Sequence, residues 1–383
     1  MSRLPIILLA LAMLPSCSWF KGEIKPGEPV ELVDFEPSVK VGKVWSIGVG
    51  DGIKRGAQQL RPAVRDGVIY AADYKGELTA VDAASGKRLW QLKTELPFSG
   101  GPGVSDELAL VGTQDGEVHA FLRDTGTPAW IARVSSEVLA APIESEGVVV
   151  VRCIDGRSFG LDARNGRRIW VYDRSVPLLT LRGNSTPLVR AGTVYLGYDG
   201  GELVALRLDD GTLVWEQDVA TSEGRTELDR LADIDGQMVY VASDLLVSSF
   251  KNRMVSVAAD SGRLLWFKDV SSASGVSVDR VNMALTDTLS HVWVMDRRNG
   301  STLWKQDQLE NRGVTRPAIY GNFVVAGDAE GYLHWMNLDD GQFAARVKAG
   351  GKGFADGPLV VGDMLVVQTN KGELLAYRVG AAL

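Results

Sequence analysis

The chain has 383 residues, 45% of them hydrophobic and 23% charged, with 43 Gly and a formal net charge of −7. That balance fits a folded protein with a sizeable core. Its mild acidity argues against nucleic-acid binding, which would need a basic stripe.

In chain order, Arg3 gives a short positive start, and Leu4 to Leu14 is apolar but too short to span a bilayer as a stable helix. Leu14-Pro15-Ser16-Cys17 follows, which resembles a bacterial lipobox: an apolar residue, then a small one just before Cys. Residues 1–16 thus read as a lipoprotein signal peptide and Cys17 as the lipidated residue. The alternative is an ordinary signal peptide that contains a Cys. With Cys17 lipidated, Cys153 stands alone and no disulfide forms in the mature chain. Cys153 lies in an apolar run, Val148 to Ile154, and reads as a buried, inert side chain. Ser18 follows the Cys where an Asp would signal retention. By resemblance to enterobacterial lipoproteins this implies the outer membrane, periplasmic face, with the membrane held through the N-terminal lipid. Residues 17–40 carry Pro26, Pro29 and Pro37 among several Glu and Lys and read as an extended tether. At about 3.3 Å per residue it reaches at most roughly 75 Å.

From there a phrase recurs. Its skeleton is Asp, a turn residue, Gly, then Trp four residues later: Gly86/Trp90, Gly126/Trp130, Gly166/Trp170, Gly211/Trp215, Gly262/Trp266 and Gly300/Trp304. A seventh copy, at Gly341, ends in Ala345 instead of Trp. The Trp-to-Trp steps of 40, 40, 45, 51 and 38 mark a repeat architecture. Within Arg61–Trp90, four short β-rich runs are broken at Asp66-Gly67, Lys75-Gly76 and Ser85-Gly86. No helical period runs through a repeat. Four antiparallel strands per period, repeated radially, describe a β-propeller.

After Ala345 only three strand-like runs remain: Pro358–Val361, Met364–Gln368 and Glu373–Val379. Upstream of the first repeat, Val44–Ile47 looks like the missing fourth, Trp45 included. The expectation is an all-β, eight-bladed propeller over residues 41–383, closed by its N- and C-terminal strands, which also removes an open sheet edge.

Function is sought where repeats break their rule. Three stretches are long: 173–183, 221–235 and a middle loop at 243–252. In a meander all three fall on one face, at adjacent blades. Together they compose a patch of Leu178, Leu179, Leu181, Arg182, Asp229, Arg230, Asp233 and Asp235. One reading is a protein-binding surface with a polar rim. The other is that the Leu residues tuck under their own loop and Arg182 pairs inward with Asp233 or Asp235.

Enzyme signals are weak. His119, His291 and His334 stand on three repeats with no ligand spacing, and neither Gly-x-Ser-x-Gly nor a phosphate loop occurs. The recurrent Asp residues read as acceptors of backbone N–H groups in their own turns, and Asp199-Gly200-Gly201 as a hairpin rather than a calcium loop. The expectation is a non-enzyme with no metal, no redox cofactor and no catalytic residue.

The repeat phrase is similar to the tryptophan-docking repeat of quinoprotein dehydrogenases, a resemblance specific for the fold; this chain lacks the vicinal Cys pair that many of those enzymes carry. Lipobox, tether and eight repeats together resemble the BamB family, lipoproteins of the outer-membrane β-barrel assembly machinery. Leu179–Gly183, Thr226–Asp235 and Gly327–Trp335 match that family specifically. The resemblance implies that the first two stretches dock the periplasmic POTRA domains of the barrel protein BamA, through Leu179, Leu181, Arg182, Asp233 and Asp235, with unfolded β-barrel proteins as further partners. The third stretch is expected to be blade core, with Tyr332 and Trp335 packed. The alternative role is a quinoprotein-like dehydrogenase or a ligand-binding propeller in the periplasm.

Overall fold

The computed structural model describes residues 27–53, 59–181, 185–220, 226, 231–250 and 253–382. These form eight blades, each a four-stranded antiparallel meander, arranged in a ring. Blade one is typical: Ala63–Arg65, Val68–Ala72, Glu77–Asp82 and Arg88–Lys93. The second and third strands of each blade are buried on both faces, whereas the fourth alternates between exposed and covered side chains. The first strands meet one another around the axis and the fourth strands form the rim. One element was unexpected: a two-residue strand, Gln59–Leu60, adds in parallel to the inner strand of blade two.

Ring closure follows the sequence reading. The last blade takes Leu359–Val361, Met364–Gln368 and Glu373–Ala382 from the C-terminal end and Val39–Gly48 as its fourth strand. Trp45 stands in that strand, opposite Ala376.

The Trp residues tie each blade to the next. Trp45 donates its indole N–H to the Ala83 carbonyl at 2.9 Å, and its ring lies against Gly86 of blade one. Trp90, Trp130, Trp170, Trp215 and Trp304 repeat the bond to Arg123, Ala163, Leu208, Ala259 and Leu338, each against the turn Gly of the following blade. Trp266 packs on Gly300 without that bond. These turn glycines have φ near +70°, and a Cβ there would strike the indole, so two separate constraints select Gly. Opposite each docking Trp the third strand carries a smaller residue: Ala80, Ala120, Gly160, Ala205, Ser256, Val294 or Ala376.

Blade seven inverts this pair. Ala345 sits in the rim strand and the fully buried Trp335 opposite it. The cause is topological. Blade eight takes its third and fourth strands from opposite chain ends, so it has no turn between them and no turn glycine for a Trp to dock on. Trp335 fills the space from the third strand instead, edge-on to Tyr377 of blade eight at 6.2 Å. Tyr332, on the same strand, is half-buried, with its ring 6.3 Å from that of His334.

Two expectations are corrected. Residues 28–38, read as part of an extended tether, run along blade seven. Val30 N–H donates to the Glu310 carbonyl, Ser38 N–H to that of Ala344, and Arg312 and Arg346 hold the Val30 and Val33 carbonyls at 2.9 and 2.8 Å. Phe35 stacks on Phe343, and the closing strand already begins at Val39. Blade seven, with no Trp dock, offers its rim strand to this strap. The second correction concerns the middle loop read at 243–252. Asp244–Ser248 is the second strand of blade five, because Leu245, Leu246 and Val247 form a run buried on both faces. Cys17, with residues 1–26, lies outside the described residues.

Candidate docking surface and the charge cluster beneath it

A meander places the blade-to-blade connections and the turns between strands two and three on one face. The connection from blade three to blade four and that from blade four to blade five both open there. Leu178 is 95% exposed and Leu179 43%, while Leu181 is half-buried. Two adjacent leucines exposed on a loop are costly to leave in water. Arg182, Asp229 and Arg230 lie outside the described residues.

Asp233 and Asp235 are placed differently from the sequence reading. The segment Leu231–Asp235 is buried throughout. Asp233 is 0% exposed, and its Oδ2 accepts the Leu181 N–H at 2.5 Å. The Ile234 side chain lies against Gly197, its N–H donates to the Tyr198 carbonyl, and the Phe250 N–H donates to the Asp233 carbonyl. Asp233 therefore holds the leucine loop from below, with Asp235 beside it on the same buried segment; any part they play in docking runs through that loop.

Two residues that the sequence reading did not select complete the arrangement. Asp199, in the turn after the second strand of blade four, brings its carboxylate to Asp233 and Asp235, with ligand oxygens of all three within 4.8 Å of one another. Arg152, at the end of a blade-three strand, reaches Asp199 at 2.7 Å with its side chain wholly buried. Its guanidinium lies over the Tyr198 ring at 4.8 Å. Burial is the main cause that pushes the Asp233 carboxyl up to about 6. Burial, followed by the charges of Asp233 and Asp199, pushes Asp235 up to about 8. An Arg at the end of a fully apolar strand was the available signal, since it needs a buried carboxylate partner.

The other titratable groups have local duties. His119, His291 and His334 each face a carboxylate of their own blade: Glu117, Asp287 and Asp328, at 2.9 to 3.1 Å. Asp82, Asp162 and Asp296 accept backbone N–H groups of their own turns, as the repeat period suggested. Cys153 is buried, which raises its thiol above the ordinary range and keeps it un-ionised. The acidic triad has three oxygen donors, but Arg152 already meets one of them as a counter-charge, so the donor set is not that of an open cation cage.

Comparison with known proteins agrees with this architecture. The family model described as "Outer membrane protein assembly factor BamB" matches residues 74–306 and 296–381. The chain is similar to the outer membrane protein assembly factor BamB of Xanthomonas campestris, 41% identical and covering 98% of this chain and 97% of that one. Among solved structures it is similar to BamB from Moraxella catarrhalis, with a TM-score of 0.81 at 27% identity, over 88% of this chain and 100% of that one. The quinohemoprotein alcohol dehydrogenase of Comamonas testosteroni matches with a TM-score of 0.69 at 14% identity, over 88% of this chain and 76% of that one. This last likeness is one of fold alone.

Proposed function

The chain belongs to the BamB family of outer membrane protein assembly factors, and from that premise we propose that it is a scaffold that docks the POTRA domains of BamA through the Leu178–Leu181 loop. The relatives are assembly factors rather than enzymes, and the role lies in outer-membrane protein assembly. The finer reading is a rigid disk, lipid-anchored through Cys17 at the periplasmic face of the outer membrane. It holds BamA's periplasmic arm while β-barrel proteins are assembled and inserted. The observation that carries it is the pair Leu178 and Leu179, exposed on a loop whose backbone is fastened from beneath. Such a pair supplies apolar contact area already ordered before binding.

The test is Leu178→Asp and Leu179→Asp, each measured for capture on immobilised POTRA domains and for thermal unfolding. Loss of a hot spot costs about 2 kcal/mol or more, roughly 30-fold in affinity. Substitution at exposed positions should move stability by only about 0.5 kcal/mol. Retained capture by both variants refutes the docking reading.

A further inference from the structure

The charge cluster under the leucine loop is more than packing requires. Replacing Arg152 and its partners by apolar side chains of similar volume would cost little and remove the desolvation of four charges. Instead three carboxylates share one buried space, and among the described residues Arg152 is the guanidinium that pairs with them. With all four ionised, the cluster would carry a net charge of −2 away from water, a state that burial strongly opposes. Holding a proton relieves it.

We propose that Arg152 and the Asp199–Asp233–Asp235 triad are a proton-holding support that positions the Leu178–Leu181 loop, so that docking weakens as the support loses its proton at alkaline pH. The proposal rests on the docking reading above and adds its regulation.

The geometry joins proton and loop directly. Asp233 Oδ2 holds the Leu181 N–H, and Asp235 follows two residues later on the same buried segment. The Asp233 and Asp235 Oδ1 atoms and the Arg152 Nε and Nη1 atoms have no hydrogen-bond partner among the described residues. When Asp235 ionises, its charge repels Asp233, and among the described residues Arg152 and the more remote Arg61 offset it. The segment 231–235 then moves, and the Leu181 bond is its link to the loop. The other groups facing the cluster are fixed in charge across this range. Tyr198, whose hydroxyl meets that of Ser158 at 2.9 Å, is pushed up to about 12 by burial. Arg174 lies on the Tyr198 ring at 5.7 Å and pairs with Glu202 and Glu216. The Ser248 hydroxyl lies beside Gly236 and does not titrate.

The sign follows from the raised carboxyls. The folded chain holds protons that the unfolded chain releases from about pH 4 upward, since an unperturbed Asp titrates near 3.9. The stability these protons give is complete below that pH and is lost as pH rises through about 6 for Asp233 and about 8 for Asp235.

The experiment compares the full chain with its Asp235→Asn variant, which cannot ionise there. POTRA affinity and melting temperature are measured at pH 6.5 and pH 9. Wild-type affinity should fall about tenfold across this range, and the variant's by less than about threefold, since one unit of pKa difference corresponds to a factor of ten. The wild-type melt should drop over the same interval and the variant's melt should hold. Equal pH ratios in the two proteins overturn the proposal, because any titration in the POTRA partner affects both alike. If neither protein binds at any pH, the docking reading has failed; a pH-dependent melt flattened by Asp235→Asn still upholds the proton-holding support, and an unflattened one sinks it. Should Asp235→Asn fail to fold, Asp199→Asn answers the same question with a carboxylate removed from the opposite side of the triad.

Discussion

Ala345→Trp restores the repeat consensus in the one copy that lacks it, and the structure says this must destabilise. In the other blades an indole in the rim strand gains a turn glycine, in most cases a hydrogen bond, and a smaller residue opposite. At position 345 none of these is present: blade eight has no turn there, and the residue opposite is Trp335, 0% exposed. Ala345 itself is 3% exposed, inside a cluster with Phe354, Leu365 and Tyr377. A whole indole forced into filled space costs more than the 1–3 kcal/mol typical of added methylenes, so about 3 kcal/mol is a floor. For a chain of this size each kcal/mol moves the midpoint by roughly 2 °C, giving a drop of about 6 °C or more. Differential scanning calorimetry measures it. Trp335→Ala alone should also cost about 3–5 kcal/mol through its cavity. The double variant should cost clearly less than the two singles summed, since the residues share one site. A melt unchanged or raised by Ala345→Trp refutes the topological account of the missing Trp.

Three further outcomes follow from the same geometry. Gly211→Ala and Gly192→Ala both force Ala to a φ near +70°, but only the first would meet an indole, Trp170, at 2.8 Å. Gly192→Ala should lower stability by about 1–2 kcal/mol, and Gly211→Ala by clearly more in chemical denaturation; equal costs would dismiss the Trp dock. Cys153 should resist a thiol reagent in native buffer and react fully in denaturant, and rapid native labelling at pH 8 would contradict its burial. Cys17→Ala should yield a folded chain with an unchanged melt that no longer sediments with outer membranes; a variant that still sediments in cells lacking BamA means the lipid is not the anchor.

The ring was legible because it is written in period and turn chemistry. Gly86, Gly126 and their counterparts each carry a backbone requirement and a packing one, and both repeat. The closing strand was legible through Trp45, a Trp with no repeat of its own. What period cannot carry was missed. The second strand of blade five was mistaken for a loop because its Ser243-Asp244 start mimics a turn. The inverted pair Trp335/Ala345 shows in sequence only as an absence. The candidate site was half legible: long connections identified Leu178, Leu179 and Leu181, but the facing direction of Asp233 and Asp235 depends on Arg152 and Asp199, which lie in different blades. Charge partners brought together through tertiary structure leave no local spacing to read.

The strap along blade seven bears on how the disk can be held. Its Val30 end lies beside Glu310, in a connection on the same face as the leucine loop, three connections round the ring. With residues 28–38 fastened, about ten residues separate the strap from Cys17, a span of roughly 35 Å at full extension, about half the reach expected for the whole stretch 17–40. On the proposed lipid anchor at Cys17, the strap enters on the face that carries the docking loop, which would set a partner bound there near the membrane. The fastening is testable at Phe35, stacked on Phe343 at 5.4 Å with the Arg346 guanidinium over its ring at 5.0 Å. An aromatic pair adds about 0.5–1.5 kcal/mol and an exposed cation–π contact about 0.5–1. Phe35→Ala should therefore open the strap roughly 5- to 50-fold more often. Glu31 lies within it, followed by Leu32, so cleavage there by a Glu-specific protease reports the opening, since proteolysis samples locally unfolded states. Slow cleavage after Glu31 in the wild type, quickened by that factor in Phe35→Ala with the global melt nearly constant, is the expected result. Equal rates in the two proteins would mean that the strap is already open in solution, and the full reach of the tether would return.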